Sequence, residues 1–268
     1  MIQRLHPRLS LSAITAPYWT FEQDLAFWNS VGLSCVGLFE RKLEAFGFER
    51  AIEELKRRNF KVSSVISHPF SLLDKSLWDA ERASFNRCID VACAVGGAVY
   101  GPPGKGRFDA WDESAALYAE AVAPCVDYGK SLGVTVAFEP SLRPQISFVH
   151  NLRDSLDLSE VSRADLVVDI GNCYQERDVL KWISSVSSKI ALVQVSDVSI
   201  GTLENPGAGT RGLPGEGELP IGRFLQASVD AGYQGPFEIE FLGPKEVDQD
   251  AFRKSLAKLD ALIRQAVD

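Results

Sequence analysis

Several side chains capable of acid–base or metal chemistry stand inside runs of apolar residues or just beyond them. His68 follows KVSSVI, Glu139 closes VTVAF, and Asp169 interrupts DLVVDI. Gln194 sits in IALVQV with Asp197 three residues on, and FEIEF carries Glu238 and Glu240. An ionised carboxylate among apolar neighbours is costly without a partner, so each acid needs a counter-charge or a donor. A shared divalent cation would serve, and so would separate salt bridges or a bound substrate. Position alone leaves all three open.

The elements that must hold these groups alternate from end to end. Short β-branched runs at 9–14, 34–39, 61–66, 98–100, 134–139, 166–170, 190–196 and 237–241 read as strands. Amphipathic stretches near 20–30, 46–58, 77–94, 112–132, 149–158, 178–186, 221–231 and 249–267 read as helices. VTVAF, DLVVDI and IALVQV are apolar at successive positions, as expected of parallel strands covered on both faces. Eight such pairs predict a single (β/α)8 barrel over residues 1–268, although a doubly wound open sheet shares the local signature. In a barrel the chemistry gathers at the C-terminal strand ends, where the residues above fall. The longest irregular stretch, 198–220, follows the seventh strand, and a loop of that length is usually functional.

Composition narrows the classes. A chain of 268 residues with formal net charge −8 lacks the basic face a general nucleic-acid binder needs. Five cysteines at 35, 88, 93, 125 and 173 form no CxxC pair, which favours reduced, buried thiols over zinc ribbons or disulfides. No run approaches the ~20 apolar residues of a membrane span, and MIQRLHPRLSLSA lacks the apolar core of a secretory signal. A cytoplasmic protein with a small-molecule partner is expected; a homo-oligomer is left open.

The order of motifs resembles the xylose isomerase-like TIM barrel superfamily, which groups sugar phosphate isomerases and epimerases with related lyases. VAFEP (136–140) resembles its strand-five glutamate motif. VVDIGN (167–172) is similar to its Asp-x-x-His segment and VQVSD (193–197) to its His-x-x-Asp segment. TRGLPGEGELPIGRFLQASVDAGYQGPFEIE (210–240) resembles the Arg-Gly…Gly-x-Gly segment, the helix after it, and the run to the last glutamate. Carried over by position, the resemblance implies metal ligands at Glu139, Asp169, Gln194 and Glu240, a proton-transfer pair in Glu139 and Glu240, and a substrate-binding Arg211. It departs at two histidines, replaced here by Gln194 and Asn172. Glu, Asp and Gln donate only oxygen, which suits Mn²⁺ or Mg²⁺ better than Zn²⁺.

The implied activity is isomerisation or epimerisation of a sugar, polyol or keto acid through a metal-stabilised enediolate. The Glu-Asp-Gln-Glu set also resembles metal-dependent 3-dehydroshikimate dehydratases, which keeps a β-eliminating lyase as the alternative. Loss of two histidines leaves room for a barrel that only binds ligand. Around the proposed site, His68 in ISHPF is an acid–base or hydroxyl-binding candidate and Asn172 a substrate contact. Arg143 can reach a substrate oxygen or lie solvated, and Glu40 is a candidate hydroxyl partner. Lys105 and Arg107 in GPPGKGR read as an anion cradle or a surface turn, and Asp197 as the orienter of Gln194 or of the long loop. Trp19, Phe39, Phe70 and Trp111 could form an apolar wall. No GxSxG elbow supports serine chemistry.

Overall fold

The computed structural model describes residues 4–202 and 210–267, so 203–209 of the long loop lie outside the described residues. Strand and helix alternate as β1 (Leu9–Ser12), α1 (Phe21–Ser30), β2 (Cys35–Phe39), α2 (Glu40–Phe46), α3 (Phe48–Arg57), β3 (Lys61–Ile66), α4 (Trp78–Val95), β4 (Ala98–Gly101), α5 (Trp111–Ser131) and β5 (Val136–Phe138). They continue as α6 (Leu152–Ser162), β6 (Asp165–Asp169), α7 (Ile170–Cys173), α8 (Val179–Ser185), β7 (Ile190–Val195), β8 (Asp197–Ser199), β9 (Thr210–Gly212), α9 (Ile221–Asp230), β10 (Phe237–Ile239) and α10 (Gln249–Val267). Eight parallel strands close in the order β1-β10-β7-β6-β5-β4-β3-β2. Because β1 pairs with both β2 and β10, there is no free edge and the open-sheet alternative falls away.

Side chains on a strand alternate in direction, so one inward residue fixes the rest. Ile66, Tyr100, Ala137, Val167 and Leu192 cluster with one another inside the barrel, whereas their neighbours Val99, Phe138, Val168 and Val193 join the larger core between strands and helices. Counting by twos from the inward set reaches Glu139, Asp169 and Gln194. On β10, with Phe237 and Ile239 outward, it reaches Glu238 and Glu240. The phase that buries the apolar residues therefore also turns the acids inward. Fully buried Trp28, Phe85, Phe224 and Phe237 anchor the outer layer, each contributing about 1.5–3 kcal/mol by leaving water.

Three local features were not expected from sequence. Helix α2 begins at Glu40, directly after β2, and Gly47 at φ +98° separates it from α3, so the stretch 46–58 holds only the second of two helices. The four-residue α7 follows β6 at once. The long loop contains an antiparallel pair, β8 with β9, in which Arg211 stands opposite Val198. Four cysteines are buried as expected, but Cys93 is exposed. Among the described residues no helix is long and apolar enough to cross a membrane.

Candidate active site

Glu139 follows β5, Asp169 ends β6 and Glu240 follows β10; one carboxylate oxygen from each lies within 4.8 Å of the others. All three are buried. Gln194 pairs in register with Asp169 on one side and Glu238 on the other. Its amide nitrogen donates to Tyr100 Oη at 2.6 Å and to Glu238 Oε1 at 2.9 Å. That commits the nitrogen and leaves Gln194 Oε1 buried without a hydrogen-bond partner, as is Glu240 Oε2. Two buried acceptors that accept no hydrogen bond among the described residues, in a mouth already rich in negative charge, are the arrangement a cation would satisfy.

Glu238 sits one inward position behind Glu240. Ser63 Oγ at 2.5 Å and Ser64 Oγ at 2.8 Å both donate to it, because a register shift between β2 and β3 brings these adjacent residues to the same carboxylate. Gly37 makes the space: a Cβ there would lie 2.2 Å from Glu238 Oε2. The glutamate in turn fixes the amide of Gln194.

Arg211 enters from β9. Its Nη2 donates to Asp169 Oδ2 at 2.5 Å and to the Glu240 carbonyl at 3.0 Å, and lies 3.5 Å from Glu240 Oε2. Ser196 Oγ accepts from its Nε at 3.1 Å. Gly171 leaves room for it, since a Cβ would come within 2.7 Å of the Arg211 Nε. Asn172 Nδ2 bridges Glu139 Oε1 at 2.6 Å and Asp169 Oδ2 at 2.9 Å, donating one hydrogen to each.

Three carboxylates against one guanidinium leave two negative charges, which a divalent ion would neutralise. Without it, burial and the neighbouring Glu240 and Asp169 drive the Glu139 carboxyl well above its usual range. Burial raises Glu240 to about 7, against the pull of Arg211. The donor set, the orphaned oxygens and the charge all fit a hard divalent cation.

Glu139 and Glu240 open into a cavity of about 250 Å³ whose wall includes Phe39, His68, Pro102, Arg143, Asn172 and Arg211. His68 and Arg143 are thus on the wall. Glu40 is not: its carboxylate lies behind, accepting from Ser67 Oγ at 2.8 Å and from Ser84 Oγ, with His68 Nδ1 at 3.1 Å. Burial works against its charge, yet the bonds from His68, Ser84 and Ser67 hold it at about 2. Bonding to Glu40 raises His68 in return. Lys105 lines a separate pocket, and Arg107 faces Asp109 and Glu113. Asp197 orients the loop rather than Gln194, accepting from the backbone of Val198, Gly215 and Leu219. Of the four aromatics suggested as a wall only Phe39 lines this cavity; Phe70 packs on Phe85 and Trp111 on Phe148.

Sequence reasoning missed Ser196, Tyr100, Ser63 and Ser64, and the two glycines that make room. Serines on strands and glycines beside acids carry no signal until the register is known.

Residues 25–262 match the xylose isomerase-like TIM barrel family. Over 128 residues, 46% of this chain, the sequence is 24% identical to fructoselysine 3-epimerase of Escherichia coli O157:H7; the match spans 44% of that protein's length. Three solved structures share the fold over nearly the whole chain. The IOLI protein with a bound zinc atom has TM-score 0.81 at 14% identity, covering 97% of this chain and 99% of that one. The 3-keto-D-glucoside 4-epimerase YcjR from E. coli has TM-score 0.76 at 16% identity, covering 96% and 100%. A xylose isomerase-like TIM barrel protein from Mycobacterium smegmatis in complex with magnesium has TM-score 0.75 at 14% identity, covering 97% and 98%.

Proposed function

The chain belongs to the xylose isomerase-like TIM barrel family, and from that premise we propose that it is a divalent-metal-dependent epimerase or isomerase of a sugar or related polyol. The observation that carries the reading is the convergence of Glu139, Asp169 and Glu240 within 4.8 Å, with Gln194 Oε1 and Glu240 Oε2 accepting no hydrogen bond among the described residues. Glu139, Asp169, Gln194 and Glu240 would hold the ion, Mn²⁺ or Mg²⁺ in preference to Zn²⁺ because every donor is oxygen. Bound there, it would place positive charge beside substrate oxygens on which negative charge develops. The kinship with epimerases, fructoselysine 3-epimerase among them, favours this class.

The chain's own residues divide the remaining work. Glu139 and Glu240 exchange the proton at the reacting carbon, one removing it and the other returning it. Burial favours the protonated form of both carboxyls, which helps either one serve as acid as well as base. Asn172 holds Glu139 and Asp169 in register. Arg211 and His68 meet substrate oxygens from the wall, and Glu40 favours the charged, donating form of His68. In the same reading residues 1–268 act as one domain.

The test is exchange of hydrogen. Manganese-loaded protein is incubated with a panel of ketoses in D₂O, and deuterium is sought at carbons beside the carbonyl. Incorporation without loss of water is expected, and Glu240→Gln and Glu139→Gln should each abolish it. Exchange that survives both substitutions removes the pair from the mechanism, and loss of water marks elimination instead.

A further inference from the structure

A larger cleft of about 620 Å³ lies beside the carboxylate cavity. The two are contiguous, because Phe39, Arg41 and Leu242 line both. The other walls of the cleft come from the segment after β1, with Tyr18 and Trp19, and from α2 and α3, with Phe46 and Arg50. Tyr18 is 68% exposed and Leu242 53% exposed, two large apolar groups facing solvent on the approach to a site. Exposed apolar side chains that share one cleft next to a site, unlike ones scattered singly, suit the docking of an apolar group.

The charges are as uneven as the surface. Lys42 is already committed, its ammonium donating to Asp24 at 2.6 Å and to the carbonyls of Ala13 and Ala16. Arg50 lies over the Phe46 ring at 4.0 Å from its centroid, with Glu22 3.8 Å away. Arg41, at the junction of cleft and cavity, has no ion pair or hydrogen bond among the described residues. Among the described residues the cleft thus presents aromatic side chains and one cation without an ion pair, Arg41, in a chain whose formal net charge is −8.

We propose that this cleft is a second substrate subsite, which receives an aromatic or apolar substituent bearing a carboxylate, so that the substrate is an acidic conjugate and not a bare monosaccharide. This rests on the proposed function only in taking the cavity as the place of reaction. The reacting end enters the cavity, the substituent stacks on Tyr18 and Trp19, and its carboxylate meets Arg41. Arg41 is then a specificity-determining residue that takes no part in proton transfer.

The subsite is tested with fragments that need neither sugar nor metal, so its failure is separable from failure of the epimerase reading. Benzoate and its neutral isostere benzamide are titrated into metal-free protein and followed by saturation-transfer NMR. Benzoate should bind about fivefold more tightly, the worth of one partly exposed ion pair. Arg41→Gln should remove that preference, and Tyr18→Ala should weaken both fragments. Both residues are exposed, so the melting temperatures should stay at the wild-type value. Equal affinity for the two fragments, a preference that survives Arg41→Gln, or no binding at millimolar concentration overturns the proposal.

Discussion

Removing the charge of Arg211 probes how the acid cluster is kept folded. Its Nη2 lies 2.5 Å from Asp169 and 3.5 Å from Glu240, and the side chain is 18% exposed. Deleting one partner of a buried pair leaves the others uncompensated, at a cost of about 3–5 kcal/mol. In Arg211→Gln the three acids keep their mutual repulsion with no cation among them. At roughly 2–4 °C per kcal/mol for a chain near this size, the metal-free variant should melt about 10 °C below wild type. The same change makes the cluster a stronger site for a divalent ion, since its formal charge with all three acids ionised goes from −2 to −3. Saturating Mn²⁺ should therefore raise the variant's melting temperature by more than it raises that of wild type. Circular dichroism scans at one heating rate, with chelator and then with Mn²⁺, give all four values. A metal-free variant that melts with wild type, together with equal manganese shifts, would refute the idea that guanidinium and metal share the neutralisation of these acids.

Three further outcomes are expected. Gln194→His adds a nitrogen donor and should move the metal preference toward Zn²⁺ by about tenfold relative to Mn²⁺; competition calorimetry reads the ratio, and an unchanged ratio removes Gln194 from the ligand set. Gly171→Ala puts a Cβ 2.2 Å from Ser196 Oγ and 2.7 Å from Arg211 Nε, so it should destabilise by about 1–3 kcal/mol and imitate Arg211→Gln in its manganese shift; a normal shift would mean that Arg211 has room to spare. Glu40→Gln tests the pair behind the cavity wall. The folded Glu40 value of about 2 lies below its ordinary 4.5, so its contribution is present above that value and lost as pH falls toward 2. The His68 value is raised from 6.5, so its contribution is complete below 6.5 and lost as pH rises through the folded value. The substitution should thus cost most between those limits, about 1–2 kcal/mol at pH 5.5 after solvent screening. Urea unfolding at pH 3, 5.5 and 9 checks it, and an equal cost at all three would exclude the ion pair.

The strands were legible because they are buried on both faces, so VTVAF, DLVVDI and IALVQV stand out without any tertiary knowledge. Their closure into a barrel rested on the count of eight units together with the family resemblance, because an open sheet has the same local signature. Like the strands, the acids were legible locally, as polar letters in apolar words. Helix α2 was not, since Glu40-Arg41-Lys42 directly after a strand carries no apolar period, and its hold on the loop after β1 is a tertiary contact made by Lys42. The β8–β9 pair hides in a Gly- and Pro-rich stretch. Glu40 was placed on the correct strand end, but only the fold reveals that Ser67, Ser84 and His68 surround its carboxylate. Gly37 and Gly171 matter for what would collide with a side chain there, a property of neighbours far away in sequence.

Whether one ion sits among Glu139, Asp169, Gln194 and Glu240 decides whether these side chains form a metal site. Crystals soaked in Mn²⁺, with data collected at the manganese absorption edge, would answer it. The expected result is an anomalous peak bounded by the three carboxylates and by Gln194 Oε1. A map without a peak there, with Gln194 Oε1 and Glu240 Oε2 bonded to water or to Arg211 instead, would contradict it.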